Sequence, residues 1–194
     1  MEDQTLGAKL GTATHLSPLL RKAEWLKLDA CGLEQLALQR GCHYYQNDKP
    51  LPPLRISLAQ FSNAELAIAL LNPALRYKPQ ALRLGAAILG AEGNPPEEIA
   101  WLAKLERCDA VVRYVAECGR RYEPQNRFWT RLLELLPQTP PLKAGVTPHP
   151  SRFVAMTGIT RRGVENVVEW IRPVAPEPGH GFPPARLGAA SSSN

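Results

Sequence analysis

Apolar residues recur at helical spacing through residues 17–137. Residues that begin helices precede several of these runs, including Ser17 before Pro18 and the pair Ser62 and Glu65, which fits a capping box. The pattern predicts two short helices near the N-terminus and five further helices, joined by connections of about two to seven residues. Connections this short place successive helices antiparallel, so we expect an all-α fold of stacked short helices.

One short stretch has the alternation of a strand. Leu54, Ile56 and Leu58 are apolar at every second position, which fits either a single strand-like segment or an extended lead-in to the next helix. No other alternation of useful length occurs along the sequence. The pattern of apolar residues therefore indicates helices nearly throughout.

A five-residue segment occurs twice between apolar runs. Residues 76–80 read RYKPQ and residues 121–125 read RYEPQ, a spacing of 45 residues (121 − 76). A period of about 40 to 47 residues is typical of duplicated helix pairs, as in HEAT and armadillo arrays. We therefore expect a HEAT/armadillo-like stack or an irregular helical bundle.

Prolines divide the chain into segments. The sequence contains 19 prolines, and most lie in residues 137–150 and 173–184. Prolines remove backbone donors and disfavour helix at the preceding residue, so we expect an exposed linker and a disordered tail there. The predicted organisation is a flexible N-terminus (1–16), a helical repeat-like domain (17–137), a proline-rich linker (138–150), a helical hairpin (151–172) and a disordered tail (173–194).

Composition and charge narrow the class of protein. Hydrophobic residues make up 44% and charged residues 21% of the 194 residues, as is usual for a globular domain. The formal net charge is +5, and the basic excess lies near the C-terminus. This charge favours acidic partners without establishing nucleic-acid binding. Ordinary surface charge that serves no partner is the alternative.

The sequence also bears on location. The first residues lack the apolar core of a secretory signal, and no run of about 18 apolar residues could span a membrane. The cysteines show no CxxC pairing; they are Cys31, Cys42, Cys108 and Cys118. We expect a cytoplasmic protein with reduced thiols and no membrane association.

Residues 151–172 contain the strongest hint of a specific function. Gly158 would make the turn between two helices, and apolar residues follow it at the spacing at which the second helix packs on the first. This resembles the helix-turn-helix of many bacterial DNA-binding proteins over about 20 residues. Three residues would then contact a nucleic acid: Arg161, Arg162 and Asn166. The alternative is a helical hairpin that packs its apolar residues on the helical body: Val164, Val167, Val168 and Ile171.

A second candidate surface follows from the duplicated segment. If its two copies are equivalent, they bring several cations to one edge of the helical stack. We name this set the basic edge: Arg76, Lys78, Arg83, Arg120, Arg121 and Arg127. Arginines at such an edge would bind phosphates or an acidic peptide through bidentate contacts. The alternative is that these cations only complement the carbonyl-rich ends of helices.

The sequence predicts no catalytic, cofactor or metal site. Cys108 and Arg113 have four residues between them, where a phosphatase loop requires five. No pair of cysteines or histidines has the spacing of a zinc site, and no glycine-rich phosphate loop is present. The tryptophans have apolar neighbours at helical spacing, so we expect them in the core: Trp25, Trp101, Trp129 and Trp170.

These patterns lead to one functional hypothesis and two alternatives. The hypothesis is a non-catalytic interaction or scaffold protein, since stacked helix pairs leave a groove that binds a protein or acidic partner. The first alternative is a DNA-binding regulator that uses the C-terminal hairpin. The second is an enzyme that acts on a phosphorylated or nucleic-acid substrate. The oligomeric state and the biological process are beyond the sequence.

Overall fold

The computed structural model describes residues 5–11, 17–42, 58–76, 78–143, 145–147, 153–157 and 167–174. Eight α-helices lie in these residues: α1 (Leu6–Leu10), α2 (Pro18–Trp25), α3 (Ala30–Gln39), α4 (Asn63–Leu70), α5 (Pro79–Leu89), α6 (Pro96–Leu105), α7 (Asp109–Tyr122) and α8 (Arg127–Leu135). A 3-10 turn covers Leu58–Gln60, and two strands follow the helices: β1 (Val154–Thr157) and β2 (Val167–Trp170). The predicted helical fold is confirmed.

The predicted helix starts are formed by the expected caps. The Ser17 hydroxyl accepts a hydrogen bond from the Leu20 amide at 3.0 Å and begins α2. Ser62 and Glu65 form the complete capping box of α4, in which each side chain accepts from the other residue's amide, at 3.0 and 2.8 Å. These bonds satisfy amides that lack partners within the helix, which is why such local patterns predict helix starts well.

Helix α4 is the centre of the molecule. It contacts α2, α3, α5 and α6. A helix that is apolar on all sides belongs in a protein interior. Most of its residues are buried: Ala64, Leu66, Ala67, Ile68, Ala69 and Leu70.

Besides the contacts between consecutive helices, helices two positions apart in the chain also contact each other. α2 contacts α4, α4 contacts α6, α6 contacts α8, and α3 contacts α5. α4 and α6 run parallel, because Ser62 meets Glu98 at their starts and Asn72 meets Glu106 at their ends. α2 runs in the opposite direction, since Ser17 at its start also bonds to Glu106. A regular array of helix pairs would align all three helices, so the directions of these helices do not support HEAT-like packing, and that prediction is not confirmed.

Two helix-to-helix turns have the same structure. Residues 23–30 read AEWLKLDA and residues 103–110 read AKLERCDA. At corresponding positions, Lys27 and Arg107 have φ values of 58° and 52°. In each turn the amide of the next residue bonds to the carbonyl of the alanine that starts the segment, at 2.8 and 2.9 Å. This pattern ends a helix in the Schellman manner, and it joins α2 to α3 and α6 to α7.

The duplicated segment does not form equivalent junctions. Arg76 pairs with Thr5 in an isolated β-bridge, and Pro79 begins α5. Arg121, in contrast, lies in the last turn of α7, and the helix that follows is capped by Asn126. The condition on which the basic edge depends, that the two copies are equivalent, is therefore not met, because one copy leads into a helix and the other ends one.

The N-terminus is more ordered than predicted. Residues 6–10 form α1, whose Leu6 is buried. The amides of Leu6 and Gly7 donate to the carbonyls of Leu75 and Pro73, at 3.1 and 2.5 Å. The prediction of a flexible segment is wrong for residues 5–11, because one buried leucine and these backbone bonds attach it to the body; residues 1–4 and 12–16 lie outside the described part.

The C-terminal hairpin is made of strands rather than helices. β1 pairs antiparallel with β2, with Val154 opposite Trp170 and Thr157 opposite Val167. The predicted helical hairpin is therefore wrong over residues 154–157 and 167–170. Valines and a tryptophan have high strand propensity, and their apolar spacing fitted both periods.

Trp170, the last residue of β2, attaches this hairpin to the helices. Trp170 is buried, and its Nε1 donates to the carbonyl of Ala86 at 3.1 Å. Its ring meets that of Trp129 edge to face, with 4.9 Å between centroids. Gly90 permits this approach, since a Cβ there would lie 2.7 Å from the Trp170 ring. The last described residues continue past α3, where the Val174 amide bonds to Gly41 at 3.1 Å.

The proline-rich linker is only partly described. Residues 138–143 and 145–147 contain no helix or strand. Leu142 and Val146 nevertheless pack against the core. The linker therefore follows the surface of the helical body in these residues, and residues 175–194 of the predicted tail lie outside the described part.

Candidate interaction surface

Two of the four tryptophans are exposed, which contradicts the prediction that all four lie in the core. Trp25 on α2 is 81% exposed and Trp101 on α6 is 61% exposed, whereas Trp129 and Trp170 are buried. Leu105, one turn after Trp101, is 46% exposed. We call Trp25, Trp101 and Leu105 the tryptophan face. Apolar neighbours at helical spacing did not separate these outward positions from the buried ones.

The helices that carry the tryptophan face are otherwise well packed. α2 buries Leu19 and Ala23 on its inner side. α6 buries four residues: Ile99, Ala100, Leu102 and Ala103. The exposed tryptophans are therefore on the outer sides of ordered helices and are not a sign of a poorly formed core.

Polar contacts place both helices beside the start of α4. Lys22 of α2 forms an ion pair with Glu65 at 2.8 Å, and its Nζ lies 4.7 Å from the centre of the Phe61 ring. On the other helix, Glu98 of α6 lies 3.4 Å from the Ser62 hydroxyl. Trp25 and Trp101 each lie three residues after these contacts. The two tryptophans therefore flank the N-terminal end of α4.

Charges of both signs surround the tryptophan face. Glu97 pairs with Arg131 at 2.9 Å, and three further exposed carboxylates lie within five residues of Trp25 or Trp101: Glu24, Asp29 and Glu98. Four exposed cations lie within four residues of Trp25 or Leu105: Arg21, Lys27, Lys104 and Arg107. The surface thus combines large apolar side chains with exposed charges of both signs, including these four cations.

The predicted basic edge is spread over several elements. Arg76 and Lys78 line one cavity beside α3. Arg83 lies on α5, Arg120 and Arg121 occupy the last turn of α7, and Arg127 begins α8. Cations at the end of α7 complement the helix dipole, in line with the alternative reading. A single edge formed by all six residues stays a prediction.

The residues predicted to contact nucleic acid lie outside the described part of the chain: Arg161, Arg162 and Asn166. Strands β1 and β2 lie on either side of this segment, at positions where a helix-turn-helix would have helices. The resemblance to bacterial DNA-binding proteins therefore loses its structural basis.

A cavity of about 340 Å³ lies between α2, α3 and the α4–α5 connection. Its walls include Leu20, Leu28 and Leu75, and its polar groups include Cys31 and Lys78. Lys78 Nζ donates to Cys31 Sγ at 2.9 Å. No local sequence pattern connects Cys31 with Lys78, because the two residues are 47 positions apart in the chain.

Glu34 lies next to Lys78, one of the polar residues that line this cavity. Its Oε1 lies 3.8 Å from Lys78 Nζ. Burial raises the pKa of the Glu34 carboxyl, and the nearby Lys78 only partly opposes this effect. The Lys78 ammonium therefore interacts with both the Cys31 thiol and the Glu34 carboxylate.

A second polar cluster is fully enclosed. Glu106 has no exposed surface, and its carboxylate accepts bonds from the Leu19 amide and the Asn72 side chain, both at 3.0 Å, and from the Ser17 hydroxyl. The carboxylate thus caps the start of α2 and ties the ends of α4 and α6 to it. With every group satisfied and no opening to solvent, this cluster stabilises the fold rather than binding a substrate.

Metal coordination and membrane insertion both require features that the described residues lack. Among the described residues, no three His, Cys, Asp or Glu side chains come together in a way that would hold a metal ion. No helix in the described segments has the length and apolar character that crossing a bilayer requires.

Comparison with known proteins gives no relative from which to transfer a function. No family model matches the chain, and no curated protein and no solved structure is significantly similar to it.

Proposed function

We propose that this chain is a non-catalytic interaction protein that binds an acidic, partly apolar segment of a protein partner through the tryptophan face. The observation that carries the proposal is the exposure of Trp25 and Trp101, at 81% and 61%. Tryptophan buries about 150 to 250 Å² when covered and is enriched among the residues that dominate binding energy. Two such side chains in water on ordered helices support a role in binding.

The surroundings of these side chains support an acidic partner. Arg21 and Lys27 lie beside Trp25, and Lys104 and Arg107 lie beside Leu105. A partner with carboxylates around an apolar centre would cover the tryptophans and satisfy these cations at the rim. Rim charges of this kind mainly increase the association rate, so binding should weaken as salt rises.

The basic edge is a second part of the same proposal. A long acidic partner would reach from the tryptophan face to cations elsewhere on the body, including Arg76 and Arg121, which are both exposed. The net charge of +5 agrees with this preference.

The test is affinity purification of the tagged full chain from its native host, with identification of bound protein and nucleic acid by mass spectrometry. The Trp25→Ala and Trp101→Ala double variant should lose an acidic partner that the unchanged protein retains. Glu117→Gln on α7, away from the tryptophan face, is the matched control. Circular dichroism should show equal helix content in all three proteins.

Three results would overturn the proposal. The first is recovery of the same partner by the double variant. The second is a concentration-dependent dimer in sedimentation that the double variant loses, because the face would then bind a second copy of the chain. The third is enrichment of nucleic acid in place of an acidic protein, which would favour the DNA-binding alternative in a form that needs no helix-turn-helix.

The basic edge has its own test. Arg76→Glu together with Arg121→Glu should reduce partner recovery and flatten its dependence on salt, with helix content unchanged. If partner recovery and its dependence on salt are unchanged, the basic edge is removed from the proposal and the tryptophan face remains as the binding surface.

A further inference from the structure

Cys31 and Lys78 form a contact between two distant parts of the chain. The Lys78 ammonium donates to the Cys31 sulfur at 2.9 Å. Cys31 is exposed in the first turn of α3, and Lys78 directly precedes α5. Both residues line the cavity of about 340 Å³, which gives small molecules access to the sulfur. An accessible thiol and an amine at this distance are close enough to form a bond.

The other three cysteines have a different environment. Cys42, Cys108 and Cys118 are buried. Burial raises the pKa of the Cys42 thiol to about 12 and that of Cys118 to about 11, and it also raises the pKa of Cys108. Buried thiols that stay protonated react slowly with oxidants. Cys31 is therefore the cysteine in the described part of the chain that is open to oxidation.

Lys78 supplies a cation beside the Cys31 sulfur. The hydrogen bond with Cys31 raises the pKa of Lys78, against a smaller opposing effect of burial, and Glu34 adds to the increase. The ammonium therefore stays charged beside the sulfur. The first turn of a helix adds partial positive charge at the same place. The thiolate is the nucleophilic form of cysteine.

We propose that Cys31 and Lys78 are the site of an oxidation-dependent covalent link between sulfur and nitrogen, formed with hydrogen peroxide as the oxidant. The Cys31 thiolate attacks one peroxide oxygen, and the oxygen–oxygen bond breaks. The departing hydroxide takes a proton from the Lys78 ammonium and leaves as water. The products are a sulfenic acid on Cys31 and a neutral amine on Lys78, still in contact.

The second step closes the link. The Lys78 nitrogen attacks the Cys31 sulfur, the sulfur–oxygen bond breaks, and the departing hydroxide takes a proton from the nitrogen to form a second water. Sulfur is oxidised and peroxide is reduced, so one peroxide yields one sulfenamide and two waters. Sulfenic acids react with nitrogen nucleophiles in this way, and thiol reductants reverse the reaction.

The link would change the structure locally. It would join the start of α3 to the connection before α5 and close one side of the cavity. A covalent bond between positions 31 and 78 also restricts the unfolded chain, so the melting temperature should rise by several degrees. The oxidised protein would thus be more rigid at this cavity than the reduced protein.

The experiment treats the reduced full-length protein with a small excess of hydrogen peroxide, blocks free thiols, and analyses tryptic peptides by mass spectrometry. The expected product joins peptides 28–40 and 77–83, with the loss of two hydrogen atoms, and disappears after thiol reduction. Lys78→Arg keeps the positive charge without a reactive amine, and Cys31→Ser removes the thiol. Neither variant should give the joined peptide or the rise in melting temperature.

Two outcomes would overturn the proposal. One is a Cys31 that remains available for alkylation after peroxide treatment. The other is oxidation of Cys31 to a sulfinic acid or a disulfide to the same extent in the unchanged protein and in Lys78→Arg, without the joined peptide.

Discussion

Arg172 forms a bidentate ion pair with Glu123: Nη1 donates to Oε1 at 2.7 Å and Nη2 donates to Oε2 at 2.5 Å. The same arginine donates through Nε to the Gly90 carbonyl at 2.8 Å, at the end of α5. Glu123 also accepts from Trp129 Nε1 at 2.8 Å. One ion pair therefore connects the residues after β2 to the α7–α8 connection and to the end of α5. Bidentate pairs of this kind give both strength and fixed geometry.

This pair should contribute to stability because it is mostly shielded from water, with side-chain exposures of 28% and 19%. Glu123→Gln keeps the shape but removes the charge, and it should lower the free energy of unfolding by about 1 to 3 kcal/mol. Glu117→Gln is the control, since Glu117 pairs with Arg113 at a more exposed position. Urea unfolding measures both variants. Equal stability of the two variants would contradict the structural role of the Glu123 pair.

The pH dependence of this contribution follows from the direction of the pKa shift. Burial alone would raise the pKa of Glu123, but the hydrogen bonds from Arg172, Trp129 and Asn126 outweigh it, and the net pKa is lowered. The folded state then holds the proton less tightly than the unfolded state. The contribution is complete above the unfolded pKa of about 4.3 and is lost as pH falls through the folded value.

We therefore expect the stability difference between the unchanged protein and Glu123→Gln to shrink between about pH 5 and pH 3. Glu34→Gln provides a control of opposite sign, because burial raises the pKa of Glu34. The Glu34 carboxylate costs stability near neutral pH, and protonation relieves that cost as pH falls. Urea midpoints across this pH range measure both differences. If the stability difference between the unchanged protein and Glu123→Gln stays constant with pH, the lowered pKa of Glu123 would be contradicted.

The helical part of the fold was predictable because its signals are local. A capping box such as Ser62 and Glu65, or a proline in the first turn such as Pro79, acts within one turn of chain. The C-terminal strands were not predictable in this way. Val167 and Val168 fit an amphipathic helix and a strand equally, and their pairing with residues 154–157 is a tertiary contact that no short window contains.

Close packing between Gly119 and Trp129 gives another prediction. A Cβ on Gly119 would lie 2.4 Å from the Trp129 ring, inside the contact between α7 and α8. Alanine usually stabilises a helix relative to glycine by about 0.5 to 1 kcal/mol. Here the overlap should dominate, and Gly119→Ala should destabilise the protein by about 1 to 3 kcal/mol. Thermal unfolding measures the effect.

Arg120→Ala is the matched control for this change, because Arg120 is the exposed neighbour of Gly119 on the same helix. It should change the stability by less than about 0.5 kcal/mol. A Gly119→Ala protein as stable as the control would show that Trp129 does not pack against this position.

The candidate surface was harder to predict than the fold. The basic edge rested on five recurring residues, and Lys78 and Glu123, at matching places in the two copies, have different partners: Cys31 for one and Arg172 for the other. The turns at Lys27 and Arg107 share a conformation that their sequences show only weakly. Local identity was therefore a poor guide to structural equivalence, because tertiary partners decided each conformation.

The tryptophans supply the sharpest test of the described surface, because the structure places them in two environments. Trp129→Ala would remove a fully buried ring and should cost about 3 to 5 kcal/mol. Trp25→Ala and Trp101→Ala should each change stability by less than about 0.5 kcal/mol, since these side chains are 81% and 61% exposed. The fraction of fluorescence that iodide quenches should fall in the two exposed variants and rise in a Trp170→Phe protein, which loses a buried emitter. A large loss of stability in Trp25→Ala or Trp101→Ala would mean that these rings are covered by the chain itself, and the surface proposed to bind a partner would then not exist.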